Sequence, residues 1–347
     1  MRALVTGSSG FIGTHLVRRL KREGYEVWGV DQVPDREHLG TQFVDDLRDP
    51  NFVQSLFGSM KFDETYHCAA DMGGAGYIFS GENDADVMLN SARINFNVAR
   101  AAKAGKTGRL FFSSSACVYA SLEVPWGPPG AKYVGSIHNT DYMRDGSIRQ
   151  YEILTDCVEE FAYPARPDSE YGWEKLFAER LFLAVARNYG AEVRIARLHN
   201  VFGPFGAWNN GREKAPAAIA RKVAQAQDGG EIEIWGDGKQ QRSFLYIDEC
   251  VEGIWRLMQS DFQGPVNLGS TEMITIDELV DIVCEIAGKR LAKRYVSGPT
   301  GVRGRNSNNE LIREKLGWAP AECLREGLAE TYRWVEEQVR QREKNDA

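Results

Sequence analysis

One stretch near the start, Leu4-Val5-Thr6-Gly7-Ser8-Ser9-Gly10-Phe11-Ile12-Gly13-Thr14-His15-Leu16, limits the fold more than any other. A short apolar run feeds a glycine-rich turn, and the turn feeds an amphipathic helix. Glycines at spacing three suit a backbone that must approach a pyrophosphate, with the N–H groups and positive dipole end of the helix aimed at the anion. Gly7 allows the bend, Gly10 leaves room for phosphate, and Gly13 lets helix and strand pack closely. Asp31 ends the next apolar run, Val27-Trp28-Gly29-Val30, where a carboxylate accepts hydrogen bonds from the adenosine ribose. No Arg or Lys adjoins Asp31, so a 2′-phosphate meets repulsion, and the expected dinucleotide is NAD rather than NADP.

Strand and helix patterns alternate through the first half. Gln42–Val44, Thr65–Cys68, Arg109–Ser113 and Val193–Ala196 read as strands. Asn51–Phe57, Asn90–Ala104 and Ser169–Tyr189 read as helices. That order predicts an α/β fold with a Rossmann-type doubly wound parallel sheet, whose ligands lie at the carboxyl ends of the strands. Asp46 follows the third strand and either reaches the adenine amino group or caps a helix. Ala69 and Ala70 follow the fourth, where small residues let the chain pass close to a dinucleotide. Residues 120–168 break the rhythm with Pro125-Trp126-Gly127-Pro128-Pro129-Gly130, then Tyr133, Asp141, Tyr142 and Tyr151. A connection of this length points to a lid or another functional role. From Asn200 the texture turns to Gly, Pro and aromatics, with candidate elements at Glu231–Trp235, Ile247–Met258 and Ile276–Ala287. We expect an NAD-binding domain over 1–198, and over 199–347 a smaller mixed α/β substrate domain, some of whose segments return to the sheet.

Several function classes are disfavoured. The 347 residues carry a net charge of -7 without a basic stripe, so nucleic acid is not an expected partner. No apolar run reaches the ~18 residues of a membrane span. Arg2–Thr6 already reads as the first strand, which argues against a cleaved leader and for a cytoplasmic protein. Six scattered cysteines and five histidines show no metal-ligand spacing, and no metal is expected.

Tyr171 and Lys175 stand at i and i+4 on one helix face. With Ser115, at the end of a strand, they form a proton-handling set. Lys⁺ beside a phenol lowers a pKa that is ordinarily ~10, and the serine holds the substrate oxygen. Such a set takes the proton of an alcohol while hydride leaves for nicotinamide. The Tyr–Lys spacing alone carries little; it gains weight beside the glycine turn and Asp31.

These residues resemble the extended short-chain dehydrogenase/reductase group that acts on nucleotide sugars. Trp235-Gly236-Asp237-Gly238 through Arg242, ending in Tyr246-Ile247-Asp248, supports the resemblance in the second half. It then narrows. Ala69-Ala70-Asp71-Met72-Gly73-Gly74, Ser115-Ala116-Cys117, Gly211-Arg212-Glu213-Lys214-Ala215-Pro216 and Gly301-Val302-Arg303-Gly304-Arg305-Asn306-Ser307 look like the GDP-mannose 3,5-epimerase family. The similarity runs from residue 3 to about 340 apart from the middle segment, which is longer than that family's usual connection.

The resemblance implies an isomerase that oxidises C4 transiently, inverts C3 and C5, and returns the hydride, so NAD is regenerated in each turnover. GDP-mannose and related GDP-hexoses are the implied substrates, GDP-L-galactose the product, and GDP-L-gulose the C5-only product. Cys117 and Lys214 match the acid–base pair; Cys117 is expected to abstract and Lys214 to deliver, although the order stays open. A thiol near ~8.5 and an amine near ~10.4 serve at neutral pH only if the site moves both toward it. By the same correspondence, Phe11, Ile12, Asp46, Leu47, Tyr171 and Lys175 join the cofactor site. Gly74, Ser115, Ala116, Cys117, Asn200, Glu213, Lys214, Ala215, Lys222, Gln240, Gln241, Arg242 and Arg305 face the substrate. A bidentate Arg on pyrophosphate is expected at Arg242 or Arg305. A homodimer pairing the helices near 90–104 and 170–188 is implied. A nucleotide-sugar 4-epimerase or 4,6-dehydratase is the alternative, but neither uses Cys117 with Lys214. A non-catalytic NAD-binding regulator would leave Ser115, Tyr171 and Lys175 without purpose.

Overall fold

The computed structural model describes residues 1–35, 40–120, 156–298 and 304–346. The Pro-, Gly- and Tyr-rich part of the middle segment, with Pro125, Tyr133, Asp141, Tyr142 and Tyr151, lies outside the described residues, as do residues 301–303. The first half runs β1 (Arg2–Thr6), α1 (Phe11–Arg22), β2 (Glu26–Asp31), β3 (Thr41–Val44), α2 (Pro50–Ser59), β4 (Phe62–His67), a short α3 (Ala75–Ile78), α4 (Asp84–Lys103) and β5 (Thr107–Ser115). Then come β6 (Asp156–Cys157), α5 (Glu170–Tyr189) and β7 (Glu192–Leu198). Continuous apolar burial, as in Ala3-Leu4-Val5, marks strands covered on both faces. Caps set the helix limits. Ser169 Oγ accepts from Gly172 N–H at the start of α5, and Asp49 does the same for α2 with Pro50 behind it. The helix-cap reading of Asp46 is therefore corrected: Asp49 is the cap, and Asp46 accepts from the backbone and guanidinium of Arg48 instead.

The second half contributes β8 (Val201–Phe202), α6 (Ala215–Gln225), β9 (Glu231–Trp235), β10 (Gln241–Ser243), β11 (Leu245–Tyr246), α7 (Ile247–Gln259) and β12 (Val266–Leu268). It ends with β13 (Met273–Thr275), α8 (Ile276–Ala287), β14 (Ala292–Val296), β15 (Gly304–Ser307), α9 (Glu310–Leu316) and α10 (Leu324–Asp346). The main sheet has seven parallel strands in the order β12-β7-β5-β4-β1-β2-β3. The fold is a doubly wound, Rossmann-type sheet. Strand order reverses at β1, which places the glycine turn and the loop after β4 at the crevice where such sheets bind ligands.

Chain order and spatial layer part company after residue 198. Strand β12 pairs with β7 at the sheet edge, and α7 packs beside α1 through Ile247, Val251, Ile254 and Met258. On the opposite face, Ala178, Phe182 and Val185 of α5 close over Leu110 and Phe112 of β5. A separate core joins α6, α8 and α10 around Val223, Val283 and Val335. A four-stranded sheet, β13-β10-β15-β6, bridges the two halves and sets β10 beside β15.

Candidate active site

The glycine turn is built as its spacing predicts. Gly7 has φ +71°, and a Cβ there would meet the Ala69 backbone at 3.0 Å. A Cβ on Gly13 would lie 2.0 Å from the Gly7 carbonyl oxygen, so α1 can approach β1 this closely only with no side chain there. Phe11 and Ile12 open α1 with their side chains against the core. Asp31 holds the rim: one carboxylate oxygen accepts from Ser9 N–H at 3.0 Å and the other from Val33 N–H at 3.2 Å. Ala69 N–H donates to Thr6 Oγ1, and Ala70 follows it in the same loop. Leu47 is buried in the core and its carbonyl accepts from Asn97, so its side chain is not presented to a ligand. The narrow cradle at Gly7 and Gly13 and the carboxylate at the end of β2 fit NAD.

Beyond the cradle, β5 and α5 bring four predicted residues together. Ser115 Oγ accepts from Cys117 N–H at 3.2 Å and lies close enough to Tyr171 to lower its phenol. Lys175 is 2% exposed; its Nζ donates to the Ser113 carbonyl at 2.8 Å and lies 5.6 Å from the Tyr171 ring centre. Ala116 is buried beneath this turn. Cys117 and Tyr171 share one apolar cluster with Met72, Tyr77 and Phe79.

Lys214 arrives from the other half as the residue before α6. Its Nζ points at the Val201 carbonyl, 3.5 Å away, and Lys214 and Cys117 lie close enough for each charge to act on the other. Gly74 makes the approach possible: its N–H donates to the Arg212 carbonyl, and a Cβ would sit 2.2 Å from the Glu213 oxygen. Arg212 adds bonds to Asp71 and to the Tyr77 hydroxyl and stacks on the Tyr77 ring at 4.0 Å. The lysine loop is thus latched across the crevice.

Electrostatics correct two expectations. Burial raises the Tyr171 phenol, and the charges of Cys117 and Glu174 add to it, while the Ser115 hydrogen bond opposes. Burial also lowers Lys175, disfavouring the ammonium that was expected to favour phenolate. Burial, then Asp168, pushes the Cys117 thiol up to about 12, against the pull of Arg305, the Ser115 hydrogen bond and Lys214. Only Lys214 moves as expected: burial lowers it toward the free amine, with Cys117 and Cys250 acting the other way.

The remaining substrate-facing residues divide. Glu213 accepts from Arg221 on one oxygen, while the other is buried and unpaired. Gln240 donates to the Trp235 carbonyl and its oxygen is likewise unpaired. Lys222 Nζ donates to the Glu233 carbonyl beside the Trp235 ring, and burial lowers its pKa. Asn200, at φ 40°, donates to the Ser243 carbonyl. Ala215 opens α6; Gln241 and Arg242 line β10. Arg305 departs from expectation. It is buried, paired with Asp168 at 2.7 Å and bonded to the Tyr119 carbonyl, so its guanidinium faces inward and is not presented to a pyrophosphate.

Sequence reasoning missed a buried hydrogen-bonded chain and the partner of Arg305. Behind Lys175, a buried chain links Thr6, His67, Asn95 and Glu174. Beneath Cys117 lies the Asp168–Arg305 pair. Neither has a local spacing signal, since each joins segments far apart in the chain.

Comparison with known proteins agrees with this geometry. A family model described as the NAD dependent epimerase/dehydratase family matches residues 3–145 and 146–269. The chain is 41% identical to a GDP-mannose 3,5-epimerase of Arabidopsis thaliana, covering 98% of this chain and 83% of that protein. It is 40% identical to GDP-mannose 3,5-epimerase 1 of Oryza sativa subsp. indica over 98% of this chain and 82% of that one. Among solved structures, a UDP-glucose 4-epimerase of Thermotoga maritima superposes with a TM-score of 0.78 at 22% identity, over 98% of this chain and 100% of that chain.

Proposed function

The chain belongs to the NAD dependent epimerase/dehydratase family, and on that premise we propose that it is an isomerase converting GDP-mannose to GDP-L-galactose by inversion at C3 and C5, with GDP-L-gulose from inversion at C5 alone. The observation that carries the reading is that Cys117 and Lys214, from opposite halves of the chain, lie within electrostatic reach of each other, with Cys117 next to Ser115 and Tyr171. A 4-epimerase needs no such pair.

NAD is held by the glycine turn, the N-terminus of α1 and Asp31. The chemistry it supplies when bound is reversible removal of hydride from C4, which makes the hydrogens on C3 and C5 acidic. Tyr171, beside Ser115, handles the proton of the C4 oxygen and then donates to that oxygen while charge collects there. Lys175 backs Tyr171 from a position set by the Ser113 carbonyl. Cys117 and Lys214 exchange protons with the neighbouring carbons. Burial keeps the Cys117 thiol protonated at rest and shifts Lys214 toward the free amine, so the thiol holds the proton to be delivered and the amine is placed to accept one. This resting balance runs opposite to the order expected from the sequence. Isotope uptake in single variants assigns the order, because the variant lacking the base loses uptake and the one lacking the acid retains it.

The test is incubation with GDP-mannose in heavy water, read by NMR. The reading expects deuterium at C3 and C5 and new signals from inverted sugars; return of unlabelled GDP-mannose alone would refute it. We also propose a cytoplasmic homodimer. Leu89, Phe96, Trp173 and Phe177 leave an apolar strip exposed on α4 and α5, and six free thiols suit a reducing compartment. No helix among the described residues is long and apolar enough to cross a membrane.

A further inference from the structure

The buried pair beneath Cys117 belongs to no role described so far. Asp168 and Arg305 side chains are 1% and 7% exposed, and their charged atoms lie 2.7 Å apart. Asp168 N–H donates to the Cys117 carbonyl at 3.2 Å, and Arg305 donates to the Tyr119 carbonyl at 3.3 Å. Together they hold the short turn that carries the thiol at both ends. The other Asp168 oxygen accepts from Ser169 Oγ at 2.7 Å, which ties the carboxylate to the cap of α5. A third hold comes from Gly172, where a Cβ would lie 2.1 Å from the Cys117 carbonyl oxygen.

The structure assigns Asp168 as a positioning residue for Cys117: it clamps Arg305 against the Cys117 turn and offsets the guanidinium charge that the sulfur would otherwise feel in full. Its consequence for catalysis rests on the proposed role of Cys117; the charge balance at the sulfur does not. The groups that face this thiol are Asp168 before α5, Arg305 on β15, Lys214 before α6, Tyr171 and Lys175 on α5, and the Ser115 hydroxyl. Asp168 and Arg305 act on it in opposite directions, and both are fixed by the same ion pair. Removing only the carboxylate charge leaves Arg305 uncompensated in a site of low dielectric, where a neighbouring unit charge shifts ionisation by roughly one pH unit or more. Cys117 is only partly buried, so a small electrophile can report its thiolate fraction.

The experiment is iodoacetamide labelling of the full-length protein at pH 8, with the rate at Cys117 followed by peptide mass spectrometry. Asp168→Asn is expected to label about tenfold faster or more, matching a one-unit fall. Arg305→Gln is expected to label more slowly than the parent. The double variant Asp168→Asn with Arg305→Gln leaves no unpaired buried charge, and is expected within about threefold of the parent. It also serves if Asp168→Asn alone fails to fold. Faster labelling in all three variants means loosened packing and overturns the assignment, as does an unchanged rate in Asp168→Asn. Formation of the inverted sugars from GDP-mannose is measured in parallel with Cys117→Ala. Parental product formation there removes the catalytic role of Cys117 while leaving the labelling result to stand or fall alone.

Discussion

Replacing Gly172 by Ala tests how tightly the two halves of the proton-handling set are held. In an ordinary helix the change is favourable by up to about 1 kcal/mol. Here the new Cβ would lie 2.1 Å from the Cys117 carbonyl oxygen and 2.9 Å from Pro167 Cβ. Real contacts of this kind stay at 3.0 Å or more, so α5 and the Cys117 turn must separate by about 0.9 Å, the difference between 3.0 and 2.1. Overpacking of that size costs about 1–3 kcal/mol, which roughly cancels or exceeds the helix gain. For a chain this long, 1 kcal/mol moves the melting temperature by only about 1–2 °C. Stability is therefore a weak readout, whereas activity is a strong one. A displacement near 1 Å between Tyr171, on one side of the contact, and Cys117, on the other, costs on the order of 10²-fold in rate. The glycine turn is untouched, so NAD affinity should hold within about twofold. Deuterium uptake into GDP-mannose, NAD titration and a thermal melt read the three quantities. A variant with parental uptake and a raised melting temperature would show that the contact yields freely, and the argument for a tightly held Cys117 turn would fail.

The other expectations concern separate parts of the molecule. Gly13→Ala drives a Cβ into the Gly7 carbonyl, so NAD affinity should fall at least tenfold; calorimetry giving parental affinity would remove the glycine turn from cofactor binding. Phe177→Glu places a carboxylate in the exposed apolar strip on α4 and α5 and should yield a monomer by light scattering, while a dimer of unchanged strength would locate the interface elsewhere. Burial holds His67 and His199 neutral, lowering each to about 3. Their folded pKa lies below the unfolded value near ~6.5, so the unfolded chain binds protons first. Stability from this source is complete above about pH 6.5 and is lost as pH falls toward 3. Urea denaturation between pH 7 and 4 should show a slope approaching two protons; a flat profile would contradict neutral burial.

Much of this molecule is legible in one dimension because its determinants are local. Gly7, Gly10 and Gly13 announce a phosphate turn by spacing, Asp31 follows at the end of the next strand, and Tyr171 with Lys175 share a helix face because the α-helical repeat puts them there. Strand and helix alternation dictates the parallel sheet. Tertiary structure alone decides what depends on segments distant in sequence. It returns β12 and α7 to the first layer, turns Arg305 inward onto Asp168, and sets Gly74 against the Glu213 carbonyl, so that Lys214 and Cys117 come within electrostatic reach of each other. It also decides ionisation. Spacing brings Lys175 to Tyr171, but desolvation, a property of everything packed around them, outweighs that one neighbour and raises the phenol. Periodicity records which face a residue occupies, while the charge it carries depends on the surroundings that folding builds.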